Sequence, residues 1–246
     1  MKEFRKDIPS TNSWLMAYAR HLRQTGEAIP DLYAVYTDFQ SAGRGAGTNS
    51  WHSSRGCNIL TSILFDTKLD ASDQFVFNLW FATATRAFLA HYVPEVLIKW
   101  PNDMYVRDRK LAGDLTEHSV SGCRLDFTVA GIGINVNEKE FPAEVPNPTS
   151  LLLETGRKHD VDTLMDDYLD MLQKHRPLLL KEHEAALRDE YLSHLYHMDE
   201  PHPYRINGQR ITGIIRNIDR FGRIELELPD GKREAYGFKE IAYCLE

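Results

Sequence analysis

The chain has 246 residues, 42% of them hydrophobic and 26% charged, with a formal net charge of −7; this suits one main domain with an appendage, contains nothing near the ~18 consecutive apolar residues of a membrane span, and lacks the basic excess of a nucleic-acid-binding face. The N-terminal MKEFRKDIPSTNSW has neither the apolar core nor the cleavage site of a secretory signal, so a soluble, cytoplasmic protein is expected. Cys57, Cys123 and Cys244 are isolated from one another, which argues against a disulfide framework or a zinc site.

Ser10 is placed to cap a helix whose apolar positions Trp14, Leu15, Tyr18 and Leu22 follow helical spacing, with Gly26 beyond its end. A short strand over 33–38 leads into a glycine-rich loop. NILTSILF, 58–65, is an apolar, β-branched run of strand length, and Phe75, Leu79, Ala82, Arg86 and Leu89 lie on a segment long enough for a helix. Segments 97–100, 104–106, 111–120 and 123–136 read as successive strands with turns at Pro101-Asn102 and Ser121-Gly122, which predicts a mixed, largely antiparallel sheet in an α+β fold. The amphipathic stretch 160–195 should be divided into two helices by Pro177, and Pro201 with Pro203 marks a linker. Beyond it, Asn207-Gly208 and Asp230-Gly231 are hairpin turns beside strand-like segments, so residues 200–246 are expected to form a small β-barrel domain after a main domain over 1–199.

Three segments carry the chemistry. In QSAGRGAG, 40–47, three glycines at alternate positions leave backbone N–H groups open to an anion, and Arg44 adds a cation; a mobile surface loop accounts for the same residues. KWPND, 99–103, followed by KLAG, 110–113, sets Lys99, Lys110 and the carboxylate of Asp103 around one hairpin, which suits a nucleotide with Mg²⁺ better than it suits the alternative of an exposed charged turn. GIGINVN, 131–137, interrupts an apolar strand with Gly131 and Gly133, the mark of a closely approaching ligand or of a bulge. His183, His194, His197 and His202 are ordinary solvated histidines on this reading, although His194 and His197 have i, i+3 spacing.

In combination, STN at 10–12, AGRG, KWPND, KLAG, GIGIN and PTSL at 148–151 resemble the biotin protein ligase family in order and approximate spacing, over essentially the whole chain. The resemblance implies a sheet backed by helices like those of lipoate ligases and class II aminoacyl-tRNA synthetases, with a small SH3-like C-terminal barrel. It implies that Ser10, Thr11, Asn12 and Gln40 meet the ureido end of biotin, and that Gly43, Arg44, Gly45 and Ala46 belong to a loop closing over biotin and its adenylate. Lys110 and Gly113 would border the reacting carboxylate and α-phosphate. Lys99, Asn102 and Asp103 would lie on the ATP side, with Asp103 as the Mg²⁺ ligand, while Gly131, Gly133 and Asn135 form the floor and Trp51 packs against adenine. Lys110, Arg44 and Asp103 are the expected catalytic groups.

The implied activity is a ligase without a DNA-binding domain, acting as monomer or weak homodimer: it uses ATP to form biotinyl-5'-AMP and transfers biotin to a lysine of the biotin carboxyl carrier protein domain of a carboxylase. A ligase for lipoate or another acyl acid, or a non-catalytic biotin sensor, are the alternatives. Two positions depart from the family pattern. Ala46, Gly47 and Asn49 stand where the loop commonly carries arginines, and Asp114 follows KLAG where an apolar residue is usual, near the expected position of the substrate carboxylate.

Overall fold

The computed structural model, which describes residues 1–47 and 49–245, begins with a strand that patterning does not announce. β1 (Lys2–Phe4) runs parallel to β2 (Tyr33–Thr37), and three residues are too few for an alternation to show. α1 (Thr11–Thr25) follows its expected signals: the Ser10 side chain accepts from the Ser13 N–H, and Gly26 ends the helix in the left-handed region at φ 76°. Its buried side is Leu15, Met16, Ala19 and Leu22.

β3 (Ile59–Phe65), α2 (Gln74–Ala90), β4 (Val96–Lys99), β5 (Asp103–Val106), β6 (Arg109–Ser121) and β7 (Arg124–Ile134) come next. The seven strands lie in the order β1-β2-β3-β7-β6-β5-β4, and every pairing except β1 with β2 is antiparallel. After them come α3 (Leu151–Thr155), α4 (Val161–His175) and α5 (Glu184–Ser193), with Pro177 in a tight turn over Arg176–Leu179 that divides α4 from α5 as expected.

Period-two alternation gives the sheet two different faces. Ile63, Phe65, Ala130, Ile132 and Ile134 pack with the aromatic residues of α2 and with Tyr168 and Tyr191 of α4 and α5 in one large core. The other face buries Val35, Leu64 and Val129 under α1. Farther along that second face the bulky side chains stop. The register aligns Leu60, Gly133, Gly113, Asp103 and Lys99 in one row across five strands, with Ser62, Gly131 and Leu115 in the next row on the same face. Glycines at the centre of this surface leave the backbone bare.

The C-terminal segment holds β8 (Pro201–Ile206), β9 (Gln209–Ile218), β10 (Ile224–Glu227), β11 (Arg233–Tyr236) and β12 (Ile241–Tyr243), antiparallel in the order β11-β10-β9-β8-β12. Two expectations change here. The described ladder is an open five-stranded sheet, with no pairing between β11 and β12. The residues read as a linker, Pro201 and Pro203, lie inside β8. The sheet tolerates Pro203 because its carbonyl, which points to the same side as its nitrogen, meets only the Cys244 N–H at 3.0 Å, past the end of β12. Tyr204, Ile206, Ile215, Ile218, Ile224 and Leu226 belong to the same hydrophobic core as α2, and Trp100 Nε1 donates to the Gly222 carbonyl at 2.9 Å. Among the described residues no helix is long and apolar enough to cross a membrane.

Candidate active site

The bare part of the sheet is the floor of a cavity of about 310 Å³, bounded by the start of α1, the loop 43–51, the β4–β5 turn and the C-terminal segment. One end is lined by polar side chains. Capping by Ser10 sets Thr11 and Asn12, both buried, against the floor. Gln40 Oε1 accepts from the Thr11 N–H at 2.8 Å and from its hydroxyl at 3.2 Å, and the Thr11 hydroxyl lies 2.8 Å from Ser62 Oγ. Asn12 donates through Nδ2 to Glu117, which fixes its amide so that Oδ1 faces Gly131; a Cβ on that glycine would stand 2.7 Å away. Asn12 Oδ1 is buried and has no donor. A buried acceptor without a partner costs about 1–3 kcal/mol.

The other end is charged. Lys110 Nζ lies 2.6 Å from Asp103 Oδ1, and both atoms would stand 2.9 Å from a Cβ at Gly113, so a side chain there would displace the pair. Asn102 Nδ2 donates to the Asp114 carbonyl at 2.5 Å and the Asp114 N–H donates back to the Asn102 carbonyl at 3.0 Å, pinning the turn that presents Asp103. Lys99 is held between the rings of Tyr105 and Tyr243, 5.0 and 4.6 Å from their centroids. Its pKa is lowered by burial first and by the neighbouring Lys110 charge, against the opposing pull of Asp103.

The loop 43–51 is a small hairpin: Gly45 N–H donates to the Asn49 carbonyl at 2.8 Å, and Trp51 N–H to the Gly43 carbonyl at 3.0 Å. Arg44 reaches Glu117 with both terminal nitrogens, at 3.0 and 3.2 Å. The Trp51 indole lies on the floor at Gly133, where a Cβ would be 2.3 Å from its ring, and Lys110 Nζ is 5.5 Å from the ring centroid. Ser10, Gly45, Ala46 and Gly131 also line the cavity. Gly43 does not, but a Cβ there would come within 2.6 Å of the Trp51 carbonyl, so it serves the hairpin. Asn135 lies behind the floor, donating to the Thr149 carbonyl at 2.9 Å and accepting at its own carbonyl from Leu151. Its place is in the framework of the site.

Three contributors were missed from sequence. Ser62 reaches the floor through its cross-strand pairing with Gly131, and Glu117 lies four residues beyond Gly113 on the same face of β6, so both depend on register. The wall formed by Phe238, Ile241, Ala242 and Tyr243 has no local signal, since it arrives by tertiary packing. The i, i+3 reading of His194 and His197 fails because α5 ends at Ser193, and among the described residues no group of three His, Cys, Asp or Glu could hold a metal unaided.

Asp114, the residue that follows KLAG, lies within β6. With Gly113 and Leu115 on the cavity side of β6, alternation turns the Asp114 side chain the other way, paired across the strands with Ile132 and close to the buried Tyr168 and Tyr191, although the residue still contributes to the cavity lining. It is 8% exposed, and its pKa is raised well above the ordinary 3.8 by burial first and by the Asp103 charge, with Lys110 and Asn102 acting against this. The fold thus keeps a proton that the unfolded chain releases. The resulting stability is full below pH ~4 and is lost as pH rises through the folded pKa. Asp114→Asn, which cannot ionise, is expected to gain in stability relative to the natural protein as pH rises above about 4 in urea unfolding. A difference that does not change with pH would mean that the carboxyl ionises freely in the fold.

The cavity thus combines a glycine floor with a buried acceptor at one end and lysines beside a carboxylate at the other. The chain belongs to the biotin/lipoate A/B protein ligase family, whose model matches residues 6–135, more than half of its length. It is 29% identical over 226 residues to the bifunctional ligase/repressor BirA of Escherichia coli, covering 89% of this chain and 67% of that one, so it spans about two thirds of that relative. It is 28% identical over 232 residues to the biotin–[acetyl-CoA-carboxylase] ligase of Mycobacterium tuberculosis, covering 89% of this chain and 80% of that one. The fold matches the biotin protein ligase of Aquifex aeolicus, solved in complex with biotin and ATP, with a TM-score of 0.77 at 21% identity, over 100% of this chain and 99% of that one.

Proposed function

We propose that this chain is an ATP-dependent biotin protein ligase that forms biotinyl-5'-AMP and then biotinylates a lysine of a biotin carboxyl carrier protein. The observation that carries the choice of acid is the unpartnered Asn12 Oδ1 over Gly131. The ureido ring of biotin brings the N–H donor that this acceptor requires, and its carbonyl suits the neighbouring hydroxyls. Lipoate has a dithiolane there and would leave the acceptor buried and unsatisfied. In the first step a biotin carboxylate oxygen attacks the α-phosphorus of ATP, and the bond to pyrophosphate breaks. Lys110 lies beside Asp103 at the charged end and stabilises the charge growing on the phosphoryl oxygens.

Asp103 fits Mg²⁺, which takes one or two protein carboxylates and otherwise phosphate oxygens and water; the ion would balance the charge of the departing pyrophosphate. In the second step the neutral amine of the acceptor lysine attacks the acyl carbon, the bond to AMP breaks, and the amine gives up its proton. Lys110, Arg44 and Asp103 are the catalytic groups on this reading. Residues 200–246, read as an SH3-like domain beside a catalytic domain over 1–199, wall the nucleotide end. The net charge of −7 argues against a nucleic-acid partner; action on a carrier protein in the cytoplasm, as a monomer or weak homodimer, is part of the same proposal.

Pyrophosphate release with ATP should be strong with biotin and near background with lipoate or octanoate. Release with lipoate equal to that with biotin would overturn the choice of acid, and release with none of the three would leave a non-catalytic binding protein.

A further inference from the structure

The cations around the cavity are not equivalent. Arg44, the only cation of the loop 43–51, is held by both oxygens of Glu117, and Lys110 is held by Asp103. Among the described residues no carboxylate lies within ion-pair distance of Lys99 or Lys239. Lys99 is already committed to two tyrosine faces. That leaves Lys239, at the tip of the C-terminal turn whose neighbours Phe238 and Ile241 line the cavity.

Two features of its geometry are unusual. The turn is closed by Glu240 N–H to the Gly237 carbonyl at 3.1 Å, with Lys239 at its third position at φ 76°. Glycine is the residue favoured there, and a lysine adopts that conformation at a cost in stability. The charged end of Lys239 also rests on the loop: a Cβ at Gly47 would lie 2.9 Å from its Nζ and 3.0 Å from its Cε, so a side chain at 47 would displace the ammonium. A lysine thus occupies a strained turn position, with its ammonium against the loop and no carboxylate within ion-pair distance among the described residues.

We propose that Lys239 binds the outer phosphates of ATP at the rim between the loop and the C-terminal turn. This rests on the reading of the protein as an ATP-dependent ligase. Lys110 and Asp103 lie inside the cavity at the reacting end, whereas Lys239 is exposed at the rim, where a polyphosphate running outward from the α-phosphate would pass. The ammonium supplies point-charge contacts to phosphate oxygens.

The test titrates the full chain, without biotin, with α,β-methylene-ATP and separately with AMP. Lys239→Gly should bind the ATP analogue about tenfold more weakly, as expected for one lost charge-assisted hydrogen bond, and AMP with unchanged affinity. Its thermal midpoint should be no lower than that of the natural protein, because glycine suits the turn, and Lys239→Arg should restore the analogue affinity to within about threefold. Analogue affinity within twofold of the natural protein, or equal losses for AMP and the analogue, would overturn the proposal. If the natural protein does not bind the analogue, the ATP reading falls with it. If Lys239→Gly behaves as expected while biotin drives no pyrophosphate release, only the assignment of the acid fails.

Discussion

Lys110→Ala is expected to lower adenylate formation on the order of a hundredfold or more, the usual consequence of removing a preorganised group aimed at developing phosphoryl charge. The fold should survive it. The Lys110 side chain is 30% exposed and that of Asp103 19%, and ion pairs with this much solvent contact contribute about 0–1 kcal/mol. The local backbone is held independently of the side chain, by Lys110 N–H to the Asn147 carbonyl at 2.8 Å and Thr149 N–H to the Lys110 carbonyl at 2.9 Å. Single-turnover pyrophosphate release and a thermal melt together decide the matter. A near-normal rate removes Lys110 from the chemistry, and a large drop in melting temperature would show that its role is structural.

Gly131→Val should abolish biotin binding within detection, a loss on the order of a hundredfold or more, while leaving the sheet folded. The new Cβ would stand 2.7 Å from Asn12 Oδ1 and 3.2 Å from Ser62 Oγ. Asn12 is buried in the first turn of α1 and tied to Glu117, so it has little room to yield. Overpacking of this kind costs about 1–3 kcal/mol, and here it also fills the space that a ligand ring requires. The strand itself suits valine better than glycine. Calorimetric titration with biotin is the direct measurement; affinity within about threefold of the natural protein would show that no ligand lies over Gly131.

How much of this could be read from the residues differs by element. α1 was legible to its ends because Ser10 and Gly26 are local signals that act through their own backbone. The strands β3 to β7 were legible because their apolar runs are bounded by turn residues. β1 has no signal of its own, since its pairing with β2 is decided by a partner 32 residues away in sequence. Pro201 and Pro203 misled for a related reason: a proline is harmless in a strand where the neighbouring strand has already ended, and the position of that end is a tertiary fact. In the site, the glycine motifs and the lysines announced themselves, and the geometry gathers most of them around one cavity. Glu117 and the C-terminal wall were hidden because their roles depend on register and docking. Asn135 is drawn out of the cavity by its bond to Thr149, which sequence spacing cannot show.

The row of paired residues running from Leu60 through Gly133, Gly113 and Asp103 to Lys99 also sets how the gene can vary in length. Side chains alternate along a strand, so one codon inserted within β6 after Gly113 would turn Glu117 toward α2 and carry the neighbouring His118 position out over the cavity. Codons added at the Ser121-Gly122 turn leave that row untouched. A deletion-and-insertion library should therefore give functional clones clustered at the hairpin tips, with silent stretches across the strand centres even where every individual amino acid there tolerates substitution.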